Sequence, residues 1–338
     1  MIFPGSQFKL TLLIIGTLLI AIISLGIGPY NLPISHVIKV LIEPVFGHQQ
    51  GISPIEHQVI WDVRLPRVIM AFLAGSGLAL CGATLQGVFR NSLVGPHIIG
   101  VSAGAAFGGT LAILLSWSPA FLLMSTFTSG MVALLMVFLI ASWLGNKNRL
   151  ILILAGVILS GFFGALVSLM QYLADTEETL PNIVFWLLGS FSTAHWTTVV
   201  MLAIPFAIAT TLLMCLRWRI NILSMGEQES QTLDHRASWL RWLILTLCAM
   251  IVSAQVAVSG SIGWVGLIVP HMARLWIGPD HRRLLPAAMW LGGGFMIIVD
   301  DLARSITTAE VPLGIITALL GAPLLVLLLY LHRRKGIL

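Results

Sequence analysis

Apolar stretches of about 20 residues recur along this entire sequence, separated by short polar breaks. A helix rises about 1.5 Å per residue, so each stretch is long enough to cross a hydrocarbon layer about 30 Å thick. The chain has 338 residues, of which 58% are hydrophobic and 9% are charged. Since a soluble core of this size cannot bury so much apolar surface, the sequence predicts a polytopic membrane protein.

Ten such stretches can be drawn, without the alternation of polar and apolar residues that membrane-spanning strands require. We therefore predict an all-α polytopic membrane protein with about ten transmembrane helices in a single domain, residues 1–338. The first stretch lacks a small-x-small cleavage site and is interpreted as a retained helix. The predicted spans are residues 10–28, 66–87, 93–110, 119–144, 150–173, 193–216, 238–258, 260–277, 284–303 and 312–331.

Lys and Arg residues are distributed unevenly between the two sides of these spans. With a cytoplasmic N-terminus, all but four of the 18 basic residues fall on the cytoplasmic side, the exceptions being Lys39, Arg64, Arg67 and Arg304. The positive-inside rule favours this orientation, so both termini are predicted to be cytoplasmic. The net charge of +5 reflects this topology and does not indicate a nucleic-acid partner.

The common motifs of catalysis and nucleotide binding are missing from the sequence. It has no G-x-x-x-x-G-K-[ST] loop, H-E-x-x-H pair or G-x-S-x-G elbow. Cys81, Cys215 and Cys248 lie in apolar stretches without metal-ligand spacing and are interpreted as small core thiols. We expect a transport protein that is not itself an enzyme and that holds no metal or cofactor.

Acidic residues are predicted only near the ends of the spans or outside them, which weakens the case for a proton-coupled carrier. A secondary transporter that binds sodium through backbone carbonyls is the main alternative, and a membrane enzyme is a more distant one. If this chain takes part in active transport driven by ATP, the energy must come from another chain, because the chain has no nucleotide-binding loop.

One polar segment, SMGEQESQTLDHR at residues 224–236, lies between the sixth and seventh predicted spans on the cytoplasmic side. Ser224 and Glu227 have the S-x-x-E spacing of a capping box, which predicts a short helix beginning there. Met225 and Leu233 would be its apolar contacts. The alternative is a solvated connector between two spans.

Several longer motifs resemble one family in wording, order and spacing. The chain resembles the permease subunits of binding-protein-dependent ABC importers of the iron-siderophore and vitamin B12 class, the type II importers. The stretches that carry the resemblance are RLPR at 64–67, GATLQGVFRNSLVGPHIIGVSAGAAFG at 82–108, GSIGWVGLIVPHMARLWIGPDHRRLLP at 260–286, DLAR at 301–304 and EVPLGIITALLGAP at 310–323.

The resemblance implies a homodimer in the bacterial inner membrane, with two ATP-binding cassette subunits on the cytoplasmic side. It also implies a periplasmic substrate-binding protein that docks from outside. ATP and Mg²⁺ would be bound by the partner ATPase and not by this chain. Members of the family carry siderophores, haem, cobalamin or oxyanions such as molybdate, so the expected substrate is a metal chelate or a metal oxyanion.

The same resemblance implies that residues 217–237 form the loop that contacts the ATPase. Relatives commonly read L-G-x-x-x-A-x-x-L-G there, and Asp234 stands where they have the last glycine, which changes the turn at the helix end. The predicted coupling residues are Ser224, Gly226, Glu227, Ser230, Leu233 and Asp234.

Arg64, Arg67 and Arg304 match arginines that meet acidic residues of the binding protein in the family. Their fork of donors suits bidentate contacts with carboxylates. The alternative is pairing within the chain, between Arg304 and Asp300 or Asp301, and between Arg64 and Asp62. Both hold if such pairs keep the arginines in position.

The fifth span contains small residues four apart, which form a narrow stripe on one helix face. These residues are Gly156, Ser160, Gly164 and Ser168. Such a stripe allows close helix packing. In the family, this helix lies beside the pathway at the dimer interface, so a weakly polar wall that passes a bulky solute is the second interpretation.

Two short segments match the cytoplasmic gate of the family, and an ordinary loop is the alternative for both. They are Asn91, Ser92 and Leu93, and Asn146, Lys147 and Asn148. Ser92 replaces the usual proline of this motif, which predicts a more flexible turn.

Three other features are assigned structural roles. Residues 174–192 are predicted to form a periplasmic cap. The glycines that precede Pro270 predict a closely packed, kinked eighth span. His271 is interpreted as a structural hydrogen-bonding residue and not as a ligand or proton relay.

Overall fold

The computed structural model describes residues 4–28, 30, 32–46, 52–145, 149–225, 237–307 and 309–334, and these residues form helices and connecting turns without strands. The helices are α1 Pro4–Gly26, α2 Ile34–Phe46, α3 Pro54–Gln58, α4 Leu65–Phe89, α5 Val101–Leu114, α6 Pro119–Leu144, α7 Arg149–Leu173, α8 Thr179–Leu188, α9 Trp196–Met225, α10 Ala237–Ser259, α11 Val265–Ile277, α12 His281–Ser305 and α13 Leu313–Arg334. A π-helical segment, Val59–Arg64, joins α3 to α4, and a 3-10 turn, Pro96–Ile99, precedes α5.

Within the described part of the chain, seven helices are long and apolar enough to cross a membrane. These are α1, α4 with the segment before it, α6, α7, α9, α10 and α12. The helices α5, α8 and α11 and the first 16 residues of α13 are apolar but shorter. The chain is therefore a multi-pass membrane protein.

Each predicted span coincides with a helix, so the all-α prediction is confirmed. The main differences lie at the end of α9, which was predicted at residue 216 and lies at Met225, and at the starts of α5 and α11, which were predicted to begin at residues 93 and 260. Turns occupy these starts, and they contain Gly100, Gly260 and Trp264 at φ of 81°, 70° and 68°. A left-handed residue cannot continue a right-handed helix, so α5 and α11 have only 14 and 13 residues.

Helix α4 lies at the centre of the bundle and packs against α9, α10, α11 and α12. Glycines allow the closest of these contacts. A Cβ atom on Gly82 would lie 1.8 Å from the Gly266 carbonyl oxygen, and one on Gly75 would lie 2.2 Å from the Gly292 carbonyl oxygen. The backbones of α4, α11 and α12 are thus in direct contact, as small residues permit in membrane helices.

Two short helices, α2 and α3, were not predicted and lie between α1 and α4. Ser53 caps α3 in a capping box with Glu56, whose carboxylate also contacts His36 of α2 at 3.0 Å. The predicted cap, residues 174–192, contains α8. Cys81 and Cys248 are buried as predicted, whereas Cys215 on α9 is exposed and is not a core thiol.

Candidate functional site

Arg67, in the first turn of α4, is held between two carboxylates. Its Nε and Nη2 donate to Asp300 of α12, at 3.0 Å to Oδ2 and 2.8 Å to Oδ1. Its Nη1 and Nη2 donate to Glu310, in the turn before α13, at 2.6 Å and 3.0 Å. The fork of one guanidinium therefore links α4, α12 and the start of α13.

Arg304 joins the same cluster from α12. Its Nη1 donates to the Ile27 carbonyl oxygen at 2.7 Å, and its Nη2 donates to the Ser24 carbonyl oxygen at 2.8 Å and to the Asp301 carboxylate. Its Nε also lies 3.6 Å from the Asp300 carboxylate. The predicted pairing of Arg304 with Asp300 and Asp301 is confirmed.

Arg64 is the third arginine of this region. Its guanidinium donates to the carbonyl oxygens of Leu25, at 2.7 Å, and of Tyr30. The predicted pairing with Asp62 is wrong, because the side chain turns toward the end of α1. Arg64, Arg67 and Arg304 are only 4%, 8% and 7% exposed, so none of them projects freely from the single chain.

We call these six charged residues the outer cluster. Its members are Arg64, Arg67, Asp300, Asp301, Arg304 and Glu310. Three cations face three carboxylates, and the arginine hydrogen bonds tie α1, α4, α12 and the turn before α13 together. The family resemblance implies a docking surface for these arginines, which remains a prediction, and the structure shows that they hold this end of the bundle together.

The predicted gate turn after α4 is well hydrogen-bonded. The Asn91 side-chain oxygen accepts a hydrogen bond from the Leu93 backbone N–H at 2.9 Å. The Asn91 backbone N–H donates to the Gln86 backbone carbonyl oxygen at 3.2 Å. His271 Nε2 lies 2.8 Å from the Ser92 carbonyl oxygen, which only accepts, so Nε2 carries a proton. The structural role predicted for His271 is confirmed.

A glutamine near the end of α4 connects this turn to α11. Gln86 accepts a hydrogen bond from Arg274 at 2.9 Å and donates to the Leu267 carbonyl oxygen at 3.3 Å. The other predicted gate residues, Asn146, Lys147 and Asn148, lie outside the described residues.

The small residues of α7 divide into two halves. A Cβ atom on Gly156 would lie 2.1 Å from the Ile98 carbonyl oxygen, and the Ser160 hydroxyl donates back to the Gly156 carbonyl oxygen at 2.8 Å. Gly164 has open space in front of it, and Ser168 is exposed. The first half therefore serves close packing, while the second half leaves a weakly polar face uncovered.

Ser224 lies in the last turn of α9, where its hydroxyl donates to the Asn221 carbonyl oxygen at 2.6 Å. Glu227, the other half of the predicted capping box, lies outside the described residues, so the capping box remains a prediction. Met225 is 59% exposed. The remaining coupling residues, Gly226, Glu227, Ser230, Leu233 and Asp234, lie outside the described residues.

Sequence reasoning missed a contact at the base of this loop. The Asn221 amide donates to the Asp280 carboxylate at 2.7 Å, and its side-chain oxygen accepts the His281 amide at 2.8 Å. Asp280 caps α12 by accepting the Arg282 amide at 3.0 Å. Burial acts to raise the pKa of Asp280, but hydrogen bonds from Arg282 and Asn221 outweigh it and lower the pKa to about 2. The Pro279-Asp280 pair just before α12 was the sequence feature that could have predicted this helix cap.

A bundle of membrane helices that carries the motifs quoted above, in that order, is the permease subunit of an ABC importer. Comparison with known proteins supports this class. The chain belongs to the FecCD transport family, whose model matches residues 15–331. This membership overturns the alternatives of a secondary transporter and a membrane enzyme.

Relatives match over most of the chain. The molybdate import system permease protein MolB of Haemophilus influenzae is 48% identical over 99% of this chain and 98% of its own length. The hemin transport system permease protein HmuU of Yersinia pestis is 36% identical over 82% of this chain and 84% of its own. A solved inward-facing transporter of the metal-chelate type superposes with a TM-score of 0.86, at 48% identity, covering 97% of this chain and 99% of that one.

Proposed function

We propose that two copies of this permease form the membrane channel of an importer in the bacterial inner membrane. Two ATP-binding cassette subunits would bind on the cytoplasmic side and hold ATP and Mg²⁺, and a binding protein would deliver the solute from outside. Family membership supports this assembly. The uncovered face of α7, with Gly164 and Ser168, supports its placement beside the pathway.

The two ends of the bundle have different parts in this proposal. The outer cluster would receive acidic residues of the binding protein, with Arg67, Arg64 and Arg304 held in position by their internal hydrogen bonds. Residues 217–237 would contact the ATPase, and the turn at Asn91 would belong to the cytoplasmic gate.

The proposed substrate is a metal oxyanion of the molybdate type. The observation that carries this proposal is the full-length match, at 48% identity, to a permease whose name states molybdate import. A metal chelate such as haem is the second candidate, because a relative at 36% identity is named for hemin transport.

The test is uptake into proteoliposomes that contain the permease, its ATPase partner and its binding protein. We expect ATP-dependent accumulation of molybdate, measured by elemental mass spectrometry, and no accumulation with an ATPase variant that binds but does not hydrolyse ATP. Haem and a ferric siderophore are tested in parallel.

Two outcomes would contradict different parts of the proposal. Uptake of a chelate without uptake of molybdate would overturn the substrate class alone. Uptake driven by an ion gradient, in liposomes that hold only this chain, would overturn the ATP-driven mechanism.

A further inference from the structure

Two neighbouring cavities lie along α6, α9 and α10. One has a volume of about 510 Å³ and the other about 430 Å³. They share three lining residues, Leu123, Ala257 and Val258. The two cavities therefore form one continuous groove.

The first cavity is the polar end of this groove. It lies at the start of α9 and the end of α10, and Asn182, Ser192 and His195 contribute polar groups to its wall. Trp117 and Trp186 add aromatic rings, and none of the described residues that line it is Lys, Arg, Asp or Glu. Such a wall offers hydrogen bonds and aromatic faces without net charge, and Trp is typical of membrane–water interfaces.

The second cavity is the apolar end. Its wall consists of Ala, Leu, Met, Phe, Ile, Pro and Val side chains, with Met201 and Ile208 on α9. Thr198 of the first cavity and Ile208 of the second lie ten residues apart on α9, so the groove extends about 15 Å along this helix. One leaflet contributes about half of the 30 Å hydrocarbon layer, so the groove has the depth of one leaflet.

We infer that this groove binds one net-neutral glycerophospholipid, with a phosphatidylethanolamine headgroup as the matching chemistry. The hydroxyls and amide at the polar end would donate to the phosphate, and the indole rings would face the ammonium group. An acyl chain would lie along Met201, Ile204 and Phe127. In the orientation proposed above, this lipid belongs to the outer leaflet.

A second groove of the molecule serves as a comparison for the proposed lipid site. It has a volume of about 390 Å³, lies along α1, α4 and α12, and has a lining that is apolar apart from Thr17. It has an aromatic pair, Phe72 and Trp290, but its one hydroxyl, Thr17, already donates to the Trp290 carbonyl oxygen, and its described lining has no counterpart of Asn182, Ser192 or His195. It therefore provides the matched control for filling an apolar groove in the same chain.

The first experiment compares Ala254→Phe, which fills the apolar end, with Ala21→Phe, which fills the control groove. Purified permease is titrated with phosphatidylethanolamine and examined by native mass spectrometry. We expect Ala254→Phe to weaken binding of the lipid about tenfold, as loss of a buried chain segment requires, and Ala21→Phe to leave it unchanged. Equal binding by both variants and the wild type would overturn the inference.

The second experiment uses the wild-type chain, so its result does not depend on a variant folding. Phosphatidylethanolamine with a diazirine in its acyl chain is photolysed in proteoliposomes, and labelled peptides are mapped. We expect labels on the facing segments of α6, α9 and α10, and competition by unlabelled phosphatidylethanolamine but not by phosphatidylglycerol. Labels spread evenly over all lipid-facing helices, or preferential competition by the anionic lipid, would overturn the inference.

Discussion

Arg67 makes two contacts of the same chemistry with carboxylates that differ in burial. Its partners Asp300 and Glu310 both accept forked hydrogen bonds, but Asp300 is 1% exposed and the Glu310 side chain is 37% exposed. An unpaired charge is costly where water is absent, whereas water replaces a lost partner at an exposed carboxylate. The two residues should therefore differ in their effect on stability.

We predict that Asp300→Asn lowers the free energy of unfolding by about 3–5 kcal/mol, because it leaves Arg67 with only the more exposed Glu310 as a counter-charge, while Arg304 keeps Asp301. Glu310→Gln, the matched control, should lower it by about 1 kcal/mol or less. The measurement is SDS-induced unfolding of the purified permease, followed by circular dichroism. Equal losses in the two variants would show that burial does not set the strength of these contacts.

At the scale of helices, glycine contacts decide which helices approach most closely. The Gly82 contact with Gly266 and the Gly75 contact with Gly292 bring the backbone of α4 against α11 and α12. Gly164 on α7 also lies in a helix, but it has open space in front of it. The same substitution should thus have opposite consequences on α4 and α7.

We predict that Gly82→Ala lowers the free energy of unfolding by about 1–3 kcal/mol, because the added methyl group forces α4 away from α11. Gly164→Ala should leave stability unchanged or raise it slightly, since alanine favours the helix. The same unfolding assay measures both. A Gly82→Ala variant as stable as Gly164→Ala would contradict the close contact.

The sequence predicted the long helices well, because an apolar stretch of sufficient length has few alternatives in a membrane. It missed α2 and α3, which are too short to span a membrane and stand out less in hydropathy. It also placed the starts of α5 and α11 too early, because an apolar pattern does not reveal a left-handed turn such as the one at Trp264.

The predicted side-chain partners were wrong where contacts between distant parts of the chain decide which of several possible hydrogen bonds forms. Arg64 had Asp62 nearby in sequence, yet it donates to the carbonyl oxygens of Leu25, at the end of α1, and of Tyr30, which follows this helix. The S-x-x-E spacing did not reveal that Ser224 lies in the last turn of α9, where its hydroxyl donates to a carbonyl of the preceding turn. Only the i,i+3 and i,i+4 pairs of Arg304, which helix geometry enforces, were predictable.

At the scale of the molecule, α12 connects the two ends of the bundle. Its first turn, capped by Asp280, is bonded to Asn221 of α9, and its last turns carry Asp300, Asp301 and Arg304 of the outer cluster. A helix of 25 residues is about 37 Å long, which exceeds the hydrocarbon thickness. A displacement of the Asp280 end of α12 would therefore be transmitted to the outer cluster along a single helix.

The orientation of the molecule is open to a direct test on α9. Thr197 and Arg219 are both exposed, and the 22 residues between their positions correspond to about 33 Å. We predict that Thr197→Cys reacts with a membrane-impermeant maleimide in intact spheroplasts, whereas Arg219→Cys reacts only after permeabilisation. Both are made in a Cys215→Ser background, which is the unlabelled control. The reverse pattern would place the N-terminus outside.

The charge balance of the outer cluster has a consequence for its response to membrane voltage. A potential of 100 mV does work of about 2.3 kcal/mol on each elementary charge that crosses it, but three cations and three carboxylates that move together carry no net charge. The electric field therefore does no net work when this cluster shifts as a unit. A change in membrane potential should therefore neither favour nor oppose a movement of this cluster.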